Sequence, residues 1–269
     1  MILVFVFLAV VYLRGWLQLR ATSATRVRAW RAASFLTGLL LIWGALGSPL
    51  VAYDHHLLTV HMIQHLLLMT VAPPLILLGE PRLALWHGLP RAGRSLLGWS
   101  LQRSVAQRFA RTLSRPTLCW TVSALTLVGW HVPALLTLAL HSAVWHSFEQ
   151  ATFLGAGFLF WWPVVQPWPS LSTLLYLFFA TLPCDILSGF LVFSERVAYP
   201  VYFSAPRHAS LSVLDDQQLA GALMWTVVTI VYLVAGVIVA TRSLSRRSVL
   251  VDVSSALDVV CDLESGLVP

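Results

Sequence analysis

The run His61-Met62-Ile63-Gln64-His65 sets two imidazoles four residues apart, so on a helix they share one face about a turn from each other. Imidazole is a good ligand for first-row transition metals. His146 and Glu149, three apart, share a face wherever that stretch is helical. Asp215-Asp216-Gln217-Gln218 opens another apolar segment, with Met224 about two turns deeper. With Met62 and Met69 near the first pair, the available donors are imidazole, carboxylate and thioether, a set that suits copper better than magnesium or calcium. The remaining polar groups have plainer readings beside this one. His55 and His56 fit a solvated turn as well as a ligand pair, and His141 and His208 fit the surface. His131 precedes Val132-Pro133 and can either bind a metal or satisfy backbone freed by the proline. Asp185, inside an apolar run, either pairs with a histidine or hydrates a small cavity.

The elements that hold these groups are membrane spans. Of 269 residues 58% are hydrophobic and 10% charged, whereas a soluble domain carries about 25% charged residues. The mean hydropathy is +0.79. So few charges cannot cover a water-facing surface. The net charge of +6 would suit nucleic acid, but there is no Lys and the 17 Arg lie between apolar runs, which points to anionic lipid headgroups instead. Three Cys without a CxxC pair exclude a disulfide framework and a thiolate zinc site.

A span needs roughly 20 apolar residues. Six segments qualify, at 32–50, 57–79, 117–140, 148–165, 171–193 and 219–241, and a seventh at 1–13 qualifies if it extends to about 19 with Arg14 snorkelling. That first segment lacks the basic start and cleavage site of a signal peptide. The fold expected is all-α, a seven-transmembrane-helix bundle. Arg sets its orientation: five in 14–31, seven in 80–116 and three after Thr241 fall on one side, 15 of 17. The N-terminus is then outside and the C-terminus cytoplasmic, and eight of nine His, all but His87, sit on the outer side. One domain covers 1–241, an interfacial cytoplasmic helix is expected at about 94–114, and 242–269 reads as a mobile tail. Pro73-Pro74, Pro133, Pro163 and Pro183 read as kinks, and Trp161-Trp162 and Trp168 as an interface belt.

Ser48-Pro49, His61 to Met69, Ala72-Pro73-Pro74, Trp130-His131-Val132-Pro133, His146 with Glu149, Phe160-Trp161-Trp162-Pro163 and Asp216 to Gly221 with Met224-Trp225 follow in order over about residues 30–240. As a set they resemble the caa3-type CtaG family of cytochrome c oxidase assembly factors. The resemblance implies a multi-pass plasma-membrane protein needed to assemble a haem–copper oxidase, with copper binding or delivery at its outer face and no enzymatic activity. It carries over His61, His65, His131, His146, Glu149 and Asp216 as metal positions. The implied partners are haem–copper oxidase subunits, a soluble periplasmic copper donor and membrane lipid, without nucleic acid. One position departs from the family pattern: Gln150, a poor ligand, follows Glu149 where the pattern places His. Three other classes use the same residues: a di-iron membrane enzyme, for which no HxxHH box follows HxxxH; a b-type haem protein with His65 and His131 as axial ligands; and a metal-free scaffold or transporter.

Overall fold

The computed structural model describes residues 2–22, 28–90, 94, 115–165, 172–204 and 211–265, with side chains described up to 245. All but residue 94 of the interfacial helix expected at 94–114, together with Trp168 and His208, lie outside the described residues. Within them the chain is all-helical, a multi-pass membrane protein.

Helix α1 spans Ile2–Thr22 and α2 spans Ala29–Gly47. A 3₁₀ turn at Pro49–Tyr53 leads to α3, Leu58–His65. A π-helical turn, Leu66–Val71, joins α3 to α4, Ala72–Leu78, and the short α5, Pro81–Gly88, follows. Next come α6 (Pro116–Trp130), α7 (Pro133–His141), α8 (Ala143–Trp161) and α9 (Ser172–Phe193). A second 3₁₀ turn at Pro200–Ser204 precedes α10, Val213–Ser265. The segment read as a tail after Thr241 therefore continues as helical backbone to Ser265.

Seven spans are predicted from sequence; five described helices are long and apolar enough to cross a membrane, or six if α6 and α7 form one broken span. The helix that falls short is α8. The predicted span 148–165 starts beyond His146, but the helix begins at Ala143 and takes in His146, Ser147, Glu149 and Gln150, while Pro163 lies past its end. Its first half is thus polar, for the same reason that it is chemically interesting. Helices α6 and α7 meet at 74°, with the break at His131-Val132, where Pro133 has no N–H for the carbonyl four residues back.

The hub is the segment α3–π–α4. Its most apolar stretch is 61% buried, against 22–29% for the other four spans, and α2, α8 and α10 pack around it. Close crossings rely on glycine. A Cβ on Gly157 of α8 would stand 2.8 Å from the Met69 Cα and carbonyl oxygen and from Pro73 Cγ, so only glycine lets α8 lie this near the hub. The α1–α5 crossing is tighter still: a Cβ on Gly15 would overlap the Ala84 carbonyl, and one on Gly88 the Val11 carbonyl. At the Arg-rich end, the Tyr12 hydroxyl donates to Gly79 O at 2.8 Å and Arg31 pairs with Glu80, which takes a left-handed φ of 48° to turn the chain into α5.

Candidate metal centre

The i, i+4 spacing does what the sequence predicts: His61 and His65 lie on one face of α3, ring centroids 4.3 Å apart, both buried. Across the α3–α8 contact they meet Glu149, which is fully buried. Its Oε1 stands 3.4 Å from His61 Nε2 and 3.4 Å from His65 Nε2. One turn back along α8, the His146 ring stacks on His61 at 5.7 Å and an angle of 19°. Phe153, stacked on His65 at 3.9 Å, closes the deep side.

Asp54 was not a sequence candidate. It sits in the turn after the first 3₁₀ segment, fully buried, with Oδ2 3.5 Å from His146 Nε2 and Oδ1 3.4 Å from His55 Nε2. Gln64 Nε2 donates to the same Oδ2 at 3.3 Å. The signal was present in Asp54-His55-His56, an acid adjoining two imidazoles shortly before the HxxxH run. Its chain position alone reads as a solvated turn. Two sets of ligand atoms thus fit around single ions, His61–His146–Glu149 and Asp54–His55–His146, with His146 common to both. The Gln150 amide, in the place where the resemblance expects a His, contacts His146 Nε2 at 3.2 Å and so orients that imidazole.

Two atoms bound to one ion at about 2.0–2.1 Å stand about 3.3–3.6 Å apart in tetrahedral or trigonal geometry. The 3.4 Å separations match that edge and are long for a charge-assisted hydrogen bond. Glu149 Oε2, His61 Nδ1, His65 Nδ1, Asp54 Oδ1 and Gln64 Oε1 are all buried without a hydrogen-bond partner. Proteins rarely tolerate even a few such atoms, and this many in a single cluster fit a cation-binding role.

His131 and Asp216 are placed differently. At the α6–α7 break, His131 Nδ1 donates to Leu127 O at 2.7 Å, while the carbonyl that Pro133 frees, Gly129 O, accepts from Val132 N–H at 3.1 Å. His131 Nε2 faces the Met62 sulfur at 3.3 Å. Asp216, near the start of α10, spends its carboxylate on the N-terminus of α3: it accepts from Leu58 N–H at 2.7 Å, Thr59 N–H at 3.2 Å and the Thr59 hydroxyl at 2.6 Å. It belongs to neither cluster of ligand atoms. Gln217 holds the loop before the second 3₁₀ turn, accepting from Ala198 N–H at 2.7 Å. From that turn region the Tyr199 hydroxyl donates to His131 O at 3.0 Å and the Tyr202 hydroxyl to Asp54 O at 3.3 Å. Burial pushes both phenols above their ordinary range, so they stay donors. His141 and His87 bond carbonyls of their own helices and Asp185 joins neither cluster.

A helical membrane protein whose hub carries a buried imidazole–carboxylate cluster is the class these features define. The chain belongs to the cytochrome c oxidase caa3 assembly factor family (Caa3_CtaG), whose model matches residues 10–246. It is also similar to uncharacterized proteins of Mycobacterium bovis and Mycobacterium tuberculosis, each 29% identical over 82% of this chain and 35% of the relative. A further uncharacterized protein, of Mycobacterium leprae, is 26% identical over 81% of this chain. The chain spans about a third of the length of these curated relatives. No solved structure matches it.

Proposed function

We propose that this chain holds copper at the outer boundary of the plasma membrane and passes it to haem–copper oxidase subunits during assembly, receiving it from a soluble periplasmic donor. The observation that carries the reading is Glu149 Oε1 standing 3.4 Å from both His61 and His65, with His146 stacked alongside. One carboxylate among imidazoles binds a transition metal without the permanence of a closed thiolate cage, and protonation of imidazole gives a release route. The concentration of Arg at the opposite end supports a non-cytoplasmic position for this cluster. An ion suits the space better than haem: the cavity beside His65 and His131 is about 40 Å³, whereas organic cofactors take about 300 Å³ or more.

The test has two arms. Purified protein is expected to carry copper by elemental analysis, and His61→Ala with His65→Ala to lose it; unchanged copper in the double variant would remove the site. In cells lacking the chain, oxidase activity is expected to fall and to recover with added copper. Failure that copper does not relieve would assign a scaffold role instead.

A further inference from the structure

His131 Nδ1 is 2.7 Å from the Leu127 carbonyl, which can only accept, so in the neutral ring that nitrogen carries the hydrogen. Nε2 is then left with its lone pair, and that lone pair faces the thioether of Met62 at 3.3 Å. A thioether has no hydrogen to give. Two buried acceptors therefore point at each other with nothing between them, an arrangement with no merit as a protein–protein contact. It is the geometry of two ligands to one soft cation: bonds of about 2.0 Å to nitrogen and 2.3 Å to sulfur, opened by about 100°, place the two atoms about 3.3 Å apart. The pair lies on the wall of the 40 Å³ cavity, which is also lined by His65, Met69 and Met224. That volume suits a single ion or water. His65 has no hydrogen bond at Nδ1 or Nε2 and borders both this cavity and Glu149.

We infer that the protein has a second, deeper metal site, built from His131 Nε2 and Met62 Sδ with His65, Met69 and Met224 around it, that takes a soft monovalent ion such as Cu(I). Thioether and imidazole select Cu(I) over harder ions, while the carboxylate-bearing cluster above accepts divalent ions. The two sites are distinct in donor chemistry and share only His65, which stands between them. The inference concerns the Met62–His131 pair and holds whether or not the Glu149 cluster binds metal.

The experiment uses the full chain in detergent, with Ag(I) as a redox-inert probe of the soft site and Zn(II) as a probe of the carboxylate cluster. Met62→Leu, close in volume and still apolar, is expected to weaken Ag(I) binding by more than about tenfold, the low end of what even outer-sphere changes cost a metal site, and to leave Zn(II) binding unchanged. Glu149→Gln is expected to do the reverse. Silver affinity unaffected by Met62→Leu overturns the second site, whatever Zn(II) does; loss of silver binding with intact Zn(II) upholds it even if Glu149→Gln shows the upper cluster to be inert. X-ray absorption of the Cu(I)-loaded wild-type protein gives a check free of any variant. A sulfur neighbour at about 2.3 Å supports the site, and a shell of nitrogen and oxygen alone overturns it.

Discussion

The indole N–H of Trp161 donates to the carbonyl of Met69 at 3.1 Å. In a regular helix that carbonyl would take the N–H of residue 73, which here is proline. The π turn at Leu66–Val71 is thus secured by a side chain from another helix, and the same contact pins α8 against the segment that follows His65. Trp161→Phe keeps the aromatic packing and loses the bond. It is expected to lower stability by about 1–2 kcal/mol, seen as a lower thermal midpoint in detergent. An unchanged midpoint would mean the freed carbonyl has another donor.

Asp216 separates capping from ligation. Asp216→Ala strands the Leu58 and Thr59 N–H groups, at a cost of about 1–3 kcal/mol. Protein that still folds is expected to bind as much Zn(II) per chain as the wild type. Loss of one full equivalent in well-folded material would make Asp216 a ligand after all.

Glu149→Gln is nearly isosteric and removes the charge that faces His61 and His65. Divalent-metal affinity should drop by at least about tenfold, with helicity by circular dichroism unchanged. Equal affinity in the two proteins would transfer the site to Asp54, His55 and His146. Asp54→Asn then becomes the decisive variant.

Two glycines on one helix make a matched pair. Gly157→Ala drives a methyl against the backbone of Met69, for about 1–3 kcal/mol of overpacking. Gly155→Ala meets nothing within 4 Å and should be neutral or stabilising by up to about 1 kcal/mol. Thermal midpoints of the two variants, measured side by side, check both; equal losses would show that α8 does not depend on this close approach.

Local periodicity made His61 with His65, and His146 with Glu149, legible before any coordinates, because each pair needs only a helix to align it. Apolar length likewise revealed most spans. What periodicity cannot carry is direction across the bundle. Asp216 was identifiable as a polar group at the mouth of an apolar segment, yet whether it turns to an ion or to a helix end depends on how α10 meets α3, 158 residues away in the chain. Asp54 was hidden for the opposite reason: its neighbours look solvated, and only the chain folding back over it buries it. Pro133 announced a bend, but its size came from tertiary packing. The polar start of α8 shows the limit of span counting, since its imidazole, carboxylate and amide groups lower the hydropathy by which spans are recognised.

The cap on α3 has a bearing on biosynthesis. Ribosomes deliver this chain from its N-terminus, so the helix bearing His61 and His65 emerges long before Asp216 exists to bind its open end. This cap can form only after α10 has docked against α3. Copies in which α10 has not docked would carry His61 and His65 on a helix whose N-terminal cap is missing.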